Sequence, residues 1–119
     1  MIDKFTVSRV VDGDTFDVIP KWKWDGRSGN RVRIRNFNAA ELDATGEKGK
    51  RALHQKQVLT ALILNKKVEL RYVQRIDQFD RLVCSVYCNG KNLEYVLTSK
   101  EHDYDEIRTA FRSALKHKN

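Results

Sequence analysis

Proline is nearly absent: Pro20 stands alone in 119 residues, and glycine occurs only six times. A chain so poor in both is neither collagen-like nor a flexible low-complexity linker. Cysteine is limited to Cys84 and Cys88. Four positions apart on an extended strand, they would stand about 13 Å from each other, too far for a disulfide. His54, His102 and His117 are scattered, so no zinc spacing exists. Two reduced, partly buried thiols are the expectation. No apolar run is long enough to cross a membrane, and no membrane role is expected. The opening residues, Met1-Ile2-Asp3-Lys4-Phe5, pass directly into a strand pattern without a signal-peptide core. That favours a cytoplasmic location, or a secreted or periplasmic one if a leader has been removed.

Positive charge is what the chain has in excess. Lys and Arg number 23 against 16 Asp and Glu, a formal +7. Such a surplus favours a polyanionic partner, of which nucleic acid is the commonest, although a basic surface can serve solubility alone. Hydrophobic residues make up 40% and charged residues 33%, the balance of a folded chain rather than a disordered one. The length suits one domain over 1–119 with a modest core, and a monomer is expected. The acids Asp12, Asp14, Asp17, Glu41 and Asp43 gather near turn signals, while Lys and Arg dominate from Lys48 to Arg75.

Periodicity supplies the elements. Residues 5–11 read as a first strand through Phe5, Val7, Val10 and Val11, and Asp12-Gly13 is a hairpin turn signal. Thr15 to Ile19 returns as a second strand, which Pro20 is expected to end. Lys21 to Asn30 then reads as a polar hairpin tip with Asp25-Gly26 and Ser28-Gly29 as turn formers. Its Trp22 and Trp24 alternate with lysines, which suits a base-stacking platform or plain packing equally. Residues 31–37 make a third strand. Gly46 to Lys66 reads as a helix with Ala52, Leu59, Leu62 and Ile63 on one face and Lys48, Lys50, Arg51, Gln55 and Lys56 on the other. A fourth strand covers 67–75, a turn Asp77–Asp80, and a fifth strand Arg81–Cys88. Asn89-Gly90 is a turn, and 92–98 leans towards a short helix. Asp103 to Lys118 is a last helix with the stripe Ile107, Ala110, Phe111 and Ala114, an Asp103/Glu106 capping box, and Lys116 to Lys118 at its negative end. Three strands, a helix, two strands and further helices is the order of a five-stranded OB-fold barrel with about three helices, an α+β protein that is mainly β. Other small α+β folds share this order.

Three stretches carry chemistry. Val11-Asp12-Gly13-Asp14-Thr15 places carboxylates at a hairpin, where oxygen ligands suit calcium or magnesium, or else make a plain Asp-Gly turn. It is not an EF-hand loop, because Phe16 and Asp17 stand where that loop needs an oxygen ligand and a glycine. Arg33-Ile34-Arg35-Asn36-Phe37-Asn38-Ala39-Ala40-Glu41 reads as a strand running into a loop. A cation on a rigid strand can neutralise a phosphate, and the following carboxylate can take a proton from water; taken alone, the stretch reads more simply as a basic edge strand followed by an acidic helix-start loop. Asp77-Gln78-Phe79-Asp80-Arg81 sets a second arginine at the start of a strand, so that two arginines from different strands can clamp one phosphate.

Together and in this order, with a basic helix between the second and third, these motifs resemble the staphylococcal (thermonuclease-like) nuclease family from about Phe5 to about Leu97. They are similar to its Asp-Gly-Asp-Thr turn, its Arg-Leu-x-x-x-Asp-x-Pro-Glu segment and its Asp-x-Tyr-Gly-Arg turn. The resemblance implies a calcium-dependent nuclease that cleaves DNA and RNA, with a preference for single strands, on an OB-fold barrel. It implies Asp14, Asn38 and the main-chain carbonyl of Ala39 as calcium ligands, Glu41 as general base, and Arg33 and Arg81 as phosphate-binding arginines. Phe79, Trp22, Trp24, Lys48 and Arg51 are further candidates for contact with nucleic acid.

The chain also departs from that pattern. Asn38 stands where the family has a carboxylate, so the site loses a negative charge. Ala40 replaces a proline, Phe79 a tyrosine and Asp80 a glycine, and the family's long segment before the last helix is nearly missing between Thr98 and Asp103. Three readings follow: a metal-dependent nuclease, weakened by Asn38; a nucleic-acid-binding barrel whose chemistry is lost; and a protein-interaction barrel.

Overall fold

The computed structural model describes residues 4–42 and 45–116, with side chains through residue 110. Three antiparallel strands open the chain: β1 (Lys4–Asp12), β2 (Thr15–Trp24) and β3 (Arg27–Ile34). Helix α1 (Gly46–Ile63) leads to β4 (Lys67–Ile76) and β5 (Leu82–Cys88), then to the two-residue strand β6 (Lys91–Asn92) and helix α2 (Leu93–Lys116). The sheet order is β3-β2-β1-β4-β5-β6, and a parallel β3–β5 pairing closes the first five strands into a barrel. This is the OB-like α+β barrel that the element order implied. Phe5, Val7, Phe16, Val18, Val32, Ile34, Val68, Leu70, Leu82, Cys84 and Val86 fill it, alternating along their strands with outward residues. Helix α1 seals one side through Ala52, Leu59 and Ile63, and α2 contributes Leu93 and Leu97.

Several expectations need correction. The described residues form two helices rather than about three, because α2 runs unbroken through 98–103. No glycine or proline interrupts it, and Asn92 caps its start by accepting the Glu94 N–H at 2.9 Å. Asp103 therefore lies inside a helix and caps nothing. His117, Lys118 and the side chains of Phe111, Ala114 and Lys116 lie outside the described residues, as does Asp43. Strand β2 passes through Pro20 instead of stopping there. Ile19, Pro20 and Lys21 are exposed at an irregularity where the register jumps from Asp17↔Arg31 to Trp22↔Gly29, so no ladder N–H is demanded of the proline. The hairpin turn is Asp25-Gly26 alone, with φ of 50° and 74°, the two-residue turn whose twist matches paired strands. Ser28 and Gly29 belong to β3, which ends at Ile34 rather than residue 37, since Asn36 (φ 62°) turns the chain away.

Candidate active site

The β1–β2 turn forms the floor. The Asp12 Oδ1 accepts the Asp14 N–H at 3.0 Å, fixing the turn. Gly13 is where α1 and the loop after β3 come closest, and a Cβ there would stand 2.7 Å from the Gln55 Cβ and 2.8 Å from the Ala39 Cβ. Asp14 is buried, and its two oxygens do different work. Oδ1 accepts the Thr15 hydroxyl at 2.8 Å, and Oδ2 accepts the Ala39 N–H at 3.0 Å. From the other side, the buried Gln55 of α1 accepts the Ala40 N–H at 2.7 Å. The loop carrying Asn38 to Glu41 is thus pinned at two successive amides by the β1–β2 turn and by α1. With Ala at residue 40, these two hydrogen bonds are what fix the loop.

Arg33 projects from β3, where Val32 and Ile34 face the core. Its guanidinium donates to the Ile34 carbonyl at 2.9 Å and to the Asn38 side-chain oxygen, and lies 3.5 Å from Asp14 Oδ2. Arg81 precedes β5 and is held by Asp77, which takes its Nε at 2.8 Å and its main-chain N–H at 3.0 Å. It reaches the Thr15 hydroxyl at 3.2 Å. The two arginines therefore converge on the Asp14–Thr15 pair from opposite sides. One open cleft of about 580 Å³ is lined by Asp12, Asp14, Arg33, Asn38 to Leu42 and Arg81. Glu41 stands exposed on its rim, and among the described contacts its carboxylate accepts no hydrogen bond.

Electrostatics follow this geometry. Burial, then the neighbouring Asp14, pushes the Asp12 carboxyl above its ordinary range. Burial also opposes ionisation of Asp77, but the Arg81 amide and guanidinium and the Phe79 amide outweigh it, and its pKa lies below the usual value. Burial, with Glu94 nearby, pushes the Cys84 thiol up to about 12, so that buried thiol is not a nucleophile.

The supporting candidates divide. Phe79 is exposed with its ring beside the Arg81 guanidinium, at 5.1 Å. Asp80, where the family pattern has glycine, holds φ 59° and pairs with Arg27 across the hairpin at 2.7 Å; aspartate tolerates that left-handed conformation. Lys48 is exposed on α1 and Trp24 is half-buried. Trp22 is no stacking platform: it is 1% exposed, packed under Gly29, and its indole N–H donates to the Arg31 carbonyl at 2.9 Å. Arg51 is taken up by Glu101 and Asp105 of α2, which leaves that part of the basic helix neutralised. Another cleft of about 600 Å³, between the hairpin and Phe79, is lined by the Arg31–Asp17 and Arg27–Asp80 pairs, whose charges cancel. Sequence reasoning missed Gln55 and Asp77 as positioning residues. The sequence put Gln55 on the basic face of α1, whereas it is buried in line with Ala52, Leu59 and Ile63, a helical spacing that was the available signal.

The donor set fits a hard cation in kind, since the cleft offers carboxylate and amide oxygens and no sulfur or imidazole. Among the described residues, no three His, Cys, Asp or Glu side chains converge tightly enough to hold an ion alone. A calcium ion there would need the Asn38 amide, a main-chain carbonyl and water besides Asp14. No protein-family model and no curated protein sequence matches this chain.

Proposed function

We propose that the protein is a metal-dependent nuclease, a phosphodiesterase acting on single-stranded DNA or RNA in the cleft between the β1–β2 turn, β3 and the start of β5. The observation that supports this most is the meeting of Asp14, Arg33, Glu41 and Arg81, drawn from three separate segments, around one open cavity. Each has its own support: Arg81 through Asp77, Asp14 through Thr15 and Ala39, Arg33 through the Ile34 carbonyl, and the Glu41 loop through Gln55.

In this reading Arg33 and Arg81 grip the scissile phosphate from two sides and oppose the charge that grows on its oxygens. Glu41, exposed and without a described partner, takes the proton from an attacking water. Gln55 and Asp14 hold the loop so that this carboxylate is aimed rather than mobile. Calcium, held by Asp14, Asn38 and the Ala39 carbonyl, would supply positive charge to polarise the phosphodiester.

The test is incubation with single-stranded DNA and RNA, in calcium or in chelator, with Glu41→Gln alongside. Loss of the base lowers the rate by about two to four decades. Near-normal cleavage by Glu41→Gln would remove Glu41 from the mechanism. One observation favours a second reading, a nucleic-acid-binding barrel without chemistry: among the described residues, no three His, Cys, Asp or Glu side chains converge to hold an ion alone. Binding that weakens with salt and never leads to cleavage would select it.

A further inference from the structure

The outward side of the barrel wall beyond the cleft is rich in arginine. Arg33 and Val83 are directly paired, and Arg75 pairs with Val83 from the other flank. Two residues on, Arg71 pairs with Ser85, and the Arg35 N–H continues the β3–β5 pairing by donating to the Cys84 carbonyl at 3.0 Å. Val83 and Ser85 are buried yet stand outside the barrel's core cluster, beneath the stems of these arginines. Four arginines thus flank β5 in two rows, their Cα positions roughly 7 Å apart along the strand and about 10 Å across it.

The protein's own acceptors satisfy this face only in part. Glu69 pairs with Arg71, and Glu94 lies 3.8 Å from Arg35 while also accepting the Ser85 hydroxyl. Among the described residues, the buried Nε–H groups of Arg35 and Arg71 find no acceptor, Arg71 also lies over the Tyr87 ring at 4.5 Å, and Arg75 has only the side-chain oxygen of its neighbour Gln74. Two exposed rings border the patch, Tyr72 at 65% and Tyr95 at 75%. Tyr72 sits at φ 53°, in the break of register between Arg71 and Arg75. A bulky residue rarely adopts that conformation, and here the break puts an aromatic ring into solvent. Arg35 donates to the Tyr72 main-chain carbonyl at 3.4 Å and approaches Glu94, the residue before Tyr95, so it lies between the segments that carry the two rings.

We propose that this face, through Arg35, Arg71 and Arg75 with Tyr72 and Tyr95 at its margin, holds the single-stranded nucleic acid that leads away from the phosphate gripped in the cleft. The inference rests on the reading that the cleft takes nucleic acid. It follows from charge complementarity, Arg35, Arg71 and Arg75 against Glu69 and Glu94, and from continuity through Arg33, which stands beside Asp14 in the cleft and is paired with Val83 on this face. Exposed rings beside arginines match the way unpaired bases stack while their phosphates are neutralised. A duplex would keep its bases stacked inside and leave both tyrosines unused.

The experiment measures binding in chelator, where no cleavage occurs, to a fluorescent oligothymidylate of about 12 nucleotides, within the site sizes of single-strand binders, and to thymidine dinucleotide. Tyr95→Ala and Arg75→Ala, both at exposed positions, each weaken binding of the long strand about five- to tenfold and leave the dinucleotide unchanged. Arg75→Ala also lowers the slope of log affinity against log salt by about 0.7, the loss of one phosphate contact; Tyr95→Ala leaves the slope alone. Long-strand binding that ignores both variants overturns this inference and spares the cleft. A wild-type protein that binds neither probe at low salt, in chelator or in calcium, overturns the cleft reading and this one with it.

Discussion

Gly13→Ala tests how the site is assembled. Gly13 is not in the left-handed region, so alanine brings no backbone strain, only a methyl group where none fits. That methyl would stand 2.7 Å from the Gln55 Cβ, 2.8 Å from the Ala39 Cβ and 3.3 Å from the Gln55 main-chain carbon. Carbon atoms pack at about 3.5 Å or more, so α1 and the loop must each yield by roughly 0.7 Å. Neither obstacle can rotate aside, because a Cβ moves only with its main chain. Overpacking of this kind costs about 1–3 kcal/mol, which lowers the melting temperature by roughly 4–12 °C in a domain of this size. The shift carries Glu41 with it, and a displacement near 1 Å can cost about a hundredfold in rate. Scanning calorimetry and a cleavage assay read the two effects. Adding Ala39→Gly removes one obstacle and should restore part of the lost stability. A Gly13→Ala protein that melts within about 1 °C of wild type would refute the close approach of turn, loop and helix.

Asp77 ionises more readily folded than unfolded, so its stabilisation is present above the unfolded carboxylate pKa and disappears as pH falls through the folded value. Wild type should therefore weaken below pH about 4, and Asp77→Asn should be less stable at neutral pH with a flatter acid limb in urea unfolding. Asp12 has the opposite sign: its raised pKa means that stability falls as pH rises from the unfolded value through the folded one. Asp12→Asn keeps an oxygen for the Asp14 N–H and should melt higher than wild type at neutral pH, with the gain vanishing below pH about 4. Asn38→Asp restores a charge beside Asp14 and should tighten calcium binding in a calorimetric titration; an unchanged affinity would take residue 38 out of the ligand set.

Much of the barrel was legible because strand and helix leave different periods in a sequence. The Val68/Leu70 and Leu82/Cys84/Val86 alternations marked β4 and β5, and Ala52, Leu59 and Ile63 marked the buried stripe of α1. The boundaries that failed were those set by contacts rather than by local signals. Pro20 did not end β2, because the strand could bulge where no partner needed its N–H. Asp103 did not start a helix, because Asn92 had already started one and nothing between them stopped it. Trp22 looked the same as Trp24 in the sequence, and only the packing of Gly29 over its ring decides that it is core.

By itself the sequence determined the order of strands, the basic surplus and the chemical kinds of residue available: carboxylates at one turn, arginines at two strand positions, a glutamate on a loop. These follow from local periodicity and composition, which distant parts of the chain do not alter. Tertiary structure alone decided that Asp14, Arg33, Glu41 and Arg81 share one cleft, that Arg51 spends its charge on α2, and that Arg33, Arg35, Arg71 and Arg75 stand in two rows. The parallel β3–β5 pairing closes the barrel and sets that register. It joins segments about fifty residues apart through main-chain hydrogen bonds, which any sequence can make and so none announces.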